Sequence, residues 1–161
     1  MKLFHSIRTP CIGVCSTGIG DSVCRGCKRF DHEVILWNSY THDQKVAIDV
    51  RLDELLTQVV SLRLKIVDEP LLQRQLQTQQ IPYEQNRNPY CWLFELLRAG
   101  AGQIDDTLIY GFSRMSLFEH QTLIDIRQEI DEEFHSLSMA HYERYIVANS
   151  KRANRASSSE A

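Results

Sequence analysis

Long apolar runs are missing from this chain. No stretch approaches the ~18–20 consecutive apolar residues that a membrane-spanning helix needs, and the opening Met1–Arg8 lacks the apolar core of a secretory signal. The expectation is a cytoplasmic protein with no membrane partner, in a reducing compartment where structural disulfides are rare. Glycine and proline are sparse, at seven and four residues, and four of the glycines (Gly13, Gly18, Gly20, Gly26) crowd into one short segment. Elsewhere little interrupts helix propagation, and the alternation of a half-buried strand is nearly absent. Also missing are a nucleophile elbow, a His-Glu-x-x-His pair and a phosphate loop: Gly100-Ala101-Gly102 has no preceding strand and no following Lys-Ser/Thr. No carboxylate pair has a setting suited to acid–base work. These absences weigh against an independent hydrolase or nicotinamide or flavin oxidoreductase, and an accessory subunit of an oxidoreductase is the catalytic association left open.

Charge of one sign does not dominate. The chain of 161 residues has a net charge of −3, so its surface as a whole is not adapted to nucleic acid. The distribution is uneven, with residues 1–45 at +2, 46–150 at −7 and the last eleven at +2. At 43% hydrophobic and 24% charged, the chain can bury an ordinary core.

What is present in excess is sulfur in one place. Four of five cysteines lie in Cys11-x3-Cys15-x8-Cys24-x2-Cys27. Thiolates are soft donors, and four of them satisfy Zn²⁺ or the irons of a cluster with no outside ligand. An odd cysteine count suits four ligands and a bystander better than a disulfide framework, and a thioredoxin-like dithiol would need a βαβ context the pattern lacks. Gly26 allows a tight turn that aims backbone N–H groups at both sulfurs. Arg25, Lys28 and Arg29 are placed to offset the charge of the thiolates and lower their pKa values. Cys91, in an apolar helical run, reads as a buried small hydrophobe. Spacing alone leaves zinc and iron open.

The segments Thr9-Pro10-Cys11-Ile12-Gly13-Val14-Cys15, Cys24-Arg25-Gly26-Cys27-Lys28-Arg29 and Glu33-Val34-Ile35 with Trp37 resemble the YdhL-like family of small bacterial proteins. That family is catalogued as a domain of unknown function and as predicted iron–sulfur proteins. The polar-capped helix from Thr41, with Gln44-Lys45, also matches. The resemblance covers residues 8–52, implies Cys11, Cys15, Cys24 and Cys27 as the ligand set, and tilts the expected cofactor from Zn²⁺ toward an iron–sulfur cluster. It implies nothing about residues 53–161.

The expected fold is mainly α: an irregular four-cysteine loop packed on a helical body of four to six helices. Residues 8–52 would form the metal module with its following short helix, 53–149 an all-α body, and 150–161 a disordered tail. Asp31 is expected to cap a short helix with Val34, Ile35 and Trp37 inward, and Thr41/Gln44 to cap a long helix ending near Asp68. Asp68 with Pro70 and Asn88 with Pro89 open two more. A left-handed cap is expected at Ala99–Gly102, a capping box at Ser116–Glu119, and two helices meeting between His135 and Ser138. Tyr90, Trp92, Phe94 and Leu97 are read as core rather than a cofactor groove. His32 is read as a helix-start residue ahead of an exchangeable ligand, Glu33 as a surface carboxylate, and Trp37 as a lid over the cysteine loop. The function this supports is a noncatalytic metal-binding protein serving electron delivery, redox sensing or a larger enzyme, with a protein partner. The alternative is a structural zinc module whose helical body binds a protein or nucleic acid, the phosphate contacts falling to Arg25, Lys28, Arg29 and the Lys151–Arg155 tail.

Overall fold

The computed structural model describes residues 7–159. It is mainly helical, with five α-helices and one two-stranded sheet: α1 (Asp31–Leu36), α2 (His42–Arg63), β1 (Leu64–Ile66), α3 (Glu69–Thr78), α4 (Pro89–Gly100), β2 (Phe112–Arg114) and α5 (Leu123–Ser158). The chain divides into two compact units, Met1–Asp49 with His135–Ala161, and Val50–Phe134. Helices α2 and α5 contribute residues to both.

In the Val50–Phe134 unit, helix starts follow short-range polar signals. Asp68 Oδ1 accepts from Leu71 N at 3.0 Å with Pro70 in the first turn, and Asn88 Oδ1 accepts from Tyr90 N at 3.0 Å with Pro89 leading the helix. Both satisfy backbone donors that have no partner within a first turn. The core is built from Leu52, Leu56, Val59 and Val60 of α2, Leu72 and Leu76 of α3, Trp92, Leu93, Phe94 and Leu97 of α4, and Ile126 and Ile130 of α5. Trp92, Phe94 and Leu97 are therefore core, as expected, whereas Tyr90 is half-buried and its hydroxyl accepts from Ile66 N at 3.4 Å. Val46, Val50 and Leu62, placed on the inner stripe of α2 by periodicity, are 37%, 47% and 56% exposed, so the buried face is narrower than the pattern suggested.

Three local expectations are corrected here. Helix α2 stops at Arg63 instead of near Asp68, because Leu64, Lys65 and Ile66 pair antiparallel with Arg114, Ser113 and Phe112. Ladder partners 46–50 residues away outweigh local helix propensity. Gly111 makes the turn into β2: its φ is 80°, its carbonyl accepts from Val67 N at 2.9 Å and Asp68 N at 3.0 Å, and an added Cβ would overlap the Asp68 carbonyl. The Gly100–Gly102 stretch is not a left-handed cap. The chain there tightens into a 3₁₀ turn over Ala101–Gln103. The Ser116–Phe118 stretch is likewise an isolated 3₁₀ turn, and α5 begins at Leu123 with Thr122 Oγ1 accepting from Asp125 N at 3.1 Å. Arg114 Nε donates to the Gln121 carbonyl at 2.9 Å and ties down the intervening loop.

Helix α5 shows no break between His135 and Ser138, and it continues through Ser158 where a tail was expected. Neither glycine nor proline occurs after Gly111. Extending an existing helix avoids the nucleation cost, and the cations of its last turns complement the carbonyl end of the helix.

Candidate metal centre

The cysteine segment lies in the unit that contains α1 and the second half of α5. Its foundation is a narrow hairpin. Val23 and Phe30 form an antiparallel bridge, Cys24 N donates to the Arg29 carbonyl at 2.9 Å, and Asp31 N donates to the Ser22 carbonyl at 2.9 Å. The tip, Cys24-Arg25-Gly26-Cys27-Lys28, is closed by Lys28 N donating to the Cys24 carbonyl at 2.8 Å, with Lys28 at a φ of 64°. Holding a lysine in the left-handed region costs energy that the surrounding bonds must over-determine. Lys28 Nζ does part of this, donating to the carbonyls of Arg25 and Gly26, and the whole residue is 1% exposed.

Val23, fully buried, and Phe30, 5% exposed, anchor the hairpin. Phe30 packs edge-on against Tyr142 of α5 at 5.3 Å, and a His135 ring nitrogen lies 3.4 Å from the Val23 carbonyl. His32 stacks on Tyr145 at 5.1 Å and lies 3.5 Å from Asp31 Oδ1, so it joins this aromatic cluster. Glu33, expected at the surface, is 5% exposed: its carboxylate accepts from Phe30 N at 2.8 Å and fixes the entry to α1. Asp31, expected as the cap, is the first helical residue. Ile35 is 77% exposed and does not face inward. Thr41 and Gln44 form the reciprocal capping pair, Gln44 N donating to Thr41 Oγ1 at 3.2 Å and Thr41 N to Gln44 Oε1 at 2.9 Å.

The four cysteines fall into two environments. Cys24 and Cys27 are buried, with their side chains within hydrogen-bonding reach of each other; Cys11 and Cys15 are exposed. Burial pushes the Cys24 thiol up, yet backbone N–H groups of Cys27, Ser16 and Gly26, with the Cys27 side chain, outweigh it and lower its pKa to about 7. Burial raises the Cys27 thiol, and the Arg29 guanidinium, donating to Cys27 Sγ from Nε at 3.2 Å, only partly opposes this.

The arm carrying Cys11 and Cys15 lies against the hairpin tip. Cys24 Sγ donates to the Val14 carbonyl at 3.5 Å and also receives the Ser16 N–H, so it touches the backbone on both sides of Cys15. Ser16 is itself buried, its Oγ accepting from Arg25 N at 2.8 Å. Gly26 sits under Val14 and Ile12, and a Cβ there would overlap the Val14 carbonyl. The side chains of the arm bond locally: Cys15 Sγ lies 3.1 Å from Thr17 Oγ1, and Gly13 N donates to Cys11 Sγ at 3.4 Å. Among the described residues, no group of three or more His, Cys, Asp or Glu side chains closes into a metal-holding cluster. The structure thus unites one cysteine pair at the side-chain level and brings the backbone of the other to it.

The cations beside the thiolates take different parts. Arg29 reaches sulfur and stacks over Trp37, its guanidinium 4.9 Å from the ring centroid. Lys28 binds carbonyls. Arg25 is largely exposed and donates from Nε to Asp21 Oδ2 at 3.2 Å. Trp37 is 6% exposed under Arg29 and Lys45. Ser16 and Glu33 are the contributors that sequence reasoning missed. The signal for Glu33 was its position three residues after Phe30, where a carboxylate reaches back to a free N–H. Ser16 carries no signal beyond its adjacency to Cys15.

The donor chemistry suits a soft metal. Two sulfurs share a pocket rich in N–H donors, a third cysteine adjoins through its backbone, and a guanidinium offsets thiolate charge. Cys91 is a different case: 3% exposed, 3.6 Å from Thr57 Oγ1, its thiol pushed up by burial to about 12.

Residues 9–56 match the family model described as "Protein of unknown function (DUF1289)", so the chain is similar to that family over the cysteine segment and the first turns of α2. No curated protein and no solved structure matches the chain. Among the described residues, no helix is long and apolar enough to cross a membrane.

Contact at Gly26 gives the site a local test. Gly26→Ala is expected to push the Cys11–Cys15 arm off the hairpin tip at a cost of about 1–3 kcal/mol. If the segment holds a metal, the metal-to-protein ratio should fall while the far-ultraviolet circular dichroism holds. Gly18→Ala, where a Cβ meets nothing within 4 Å, should retain metal at the native ratio.

Proposed function

We propose that the segment from Cys11 to Cys27 is a four-thiolate metal-binding module holding an iron–sulfur cluster, and that the protein acts noncatalytically, in electron delivery, redox sensing or as an accessory subunit. The observation that carries this reading is the surround of Cys24: its sulfur takes N–H donors from both cysteine segments, and its neighbour Cys27 takes the Arg29 guanidinium. Such donors stabilise thiolates and, around an iron–sulfur cluster, set its reduction potential. Cys11, Cys15, Cys24 and Cys27 would hold the metal. The cluster would supply one-electron exchange, and the protein's part is to supply the four sulfur ligands and to offset their charge with the Arg29 guanidinium and backbone N–H donors. The iron assignment draws on the YdhL-like resemblance of residues 8–52.

A structural zinc site is the second reading, and the tight Cys24–Lys28 turn favours it. The turn holds two sulfurs rigidly and asks nothing of the metal beyond fourfold coordination. Metal and sulfide analysis with an optical spectrum, on protein purified without oxygen, separates the two. Visible charge-transfer absorption with near-equal iron and inorganic sulfide is the expected result. A colourless protein with one zinc per chain supports the second reading, and protein with neither metal defeats both.

A further inference from the structure

Helix α5 carries a charged surface away from the cysteines in sequence and independent of what they hold. The sixteen residues 144–159 carry four cations and no acid, in a chain whose net charge is −3. Every residue from 143 to 159 is exposed. Arg144, Lys151, Arg152 and Arg155 make no ion pair or hydrogen bond with their side chains among the described residues. A helix advances about 100° per residue, so Arg144, Lys151 and Arg155 line up within roughly 40° and Arg152 within roughly 100° of one arc. With Ala148 between them, they form a basic stripe about 16 Å long at 1.5 Å per residue. The large apolar groups of this helical surface, Tyr145, Ile146 and Val147, are confined to its first turn at 43%, 42% and 53% exposure, and the residues beyond it besides the cations are small or polar: Ala148, Asn149, Ser150, Ala153, Asn154, Ala156 and Ser157.

We propose that this stripe is a docking surface for duplex DNA, gripping backbone phosphates along a groove edge. Three features select that occupant. Three of the four cations are arginines, whose planar fork matches phosphate oxygens with paired hydrogen bonds. From residue 148 to 159 alanine is the only apolar residue, too little apolar area for three turns of helix to enter a bilayer, which separates this segment from a membrane-surface helix. A slim helix of Ala, Ser and Asn fits the major groove of B-DNA, about 12 Å wide, whereas the deep, narrow major groove of A-form RNA shuts it out. The contacts are to phosphate, so binding tolerates any base sequence.

The test is fluorescence anisotropy of a labelled duplex DNA titrated with the full-length protein, as purified, between about 50 and 200 mM salt. Each phosphate neutralised adds about −0.9 to the slope of log affinity against log salt, so a slope of about −3 to −4 is expected. Each single Arg→Gln or Lys→Gln change in the stripe should flatten it by about 1. R144Q/K151Q/R152Q/R155Q should abolish binding with unchanged circular dichroism, because these side chains bury nothing. Arg98→Gln, whose native partner is Glu95 at 3.0 Å, should bind as the unaltered protein does. Absence of salt-dependent binding would overturn the proposal, as would retained binding in the quadruple variant. Tighter binding to duplex or single-stranded RNA, or to vesicles of anionic phospholipid, would overturn it equally.

Discussion

Cys24→Ser is expected to abolish the proposed metal binding, whereas Cys91→Ser should leave the metal content unchanged. Both residues are buried cysteines, 1% and 3% exposed, so the contrast isolates environment from accessibility. Around Cys24 the backbone N–H groups of Cys27, Ser16 and Gly26 converge and bring the thiol to about 7 against the pull of burial. A serine hydroxyl receives the same donors but does not ionise in this range and is a hard ligand for a soft metal. Substitutions beyond the ligands themselves commonly cost 10–100-fold in metal affinity, so loss of the proposed Cys24 ligand should exceed roughly 100-fold. Around Cys91 the neighbours are Thr57 Oγ1 and the Asp53 carbonyl at 3.8 Å, and burial raises its thiol to about 12. Serine can satisfy that carbonyl, so the change touches packing alone. Metal-to-protein ratios after gel filtration decide the matter: equal retention by both variants, or equal loss, contradicts the ligand assignment. Cys11→Ser and Cys15→Ser extend the test to the exposed arm, where full retention by both would reduce the site to a two-sulfur pair.

The readable parts of the fold were those decided within a few residues. The Thr41–Gln44 pair, Asp68 before Pro70 and Asn88 before Pro89 each start a helix because a side chain reaches an N–H two or three positions on. The unreadable parts depended on distant partners. Leu64–Ile66 reads as the end of α2 until Phe112–Arg114 is placed beside it, and nothing near residue 64 announces that pairing. Ser116-Leu117-Phe118-Glu119 has the composition of a capping box, but Met115 N is already committed to the Arg63 carbonyl at 2.8 Å and keeps the chain in the extended register. The four-cysteine spacing was legible, and the side chains of Cys24 and Cys27 meet. What arranges it was not: the hairpin from Ser22 to Asp31 joins segments of no strand character, and the burial of Ser16 and Glu33 follows from that hairpin rather than from their own chemistry. Polar residues become informative here only once the backbone donors they serve have been located.

The same logic identifies the most sensitive position of the Val50–Phe134 unit. Phe112 is fully buried on β2, opposite Ile66, immediately after the left-handed Gly111. Gly111 is held from both sides: its carbonyl takes the N–H groups of Val67 and Asp68, and its Cα abuts the Asp68 carbonyl. The backbone at residue 112 is thereby pinned by the turn before it and the ladder beside it, so it has little freedom to collapse into a void. Large-to-small changes cost most where the surroundings cannot relax, and Phe112→Ala should destabilise the unit by about 3–5 kcal/mol. For a unit of this size each kcal/mol is worth about 4–8 °C, which puts the expected drop in melting temperature at about 15 °C or more. Phe112→Leu keeps most of the volume and should cost less than about 1.5 kcal/mol. Thermal melts followed by circular dichroism give the comparison directly. A Phe112→Ala melt no lower than that of Phe112→Leu would mean that the turn yields, and that the small sheet is not the rigid centre its hydrogen bonds describe.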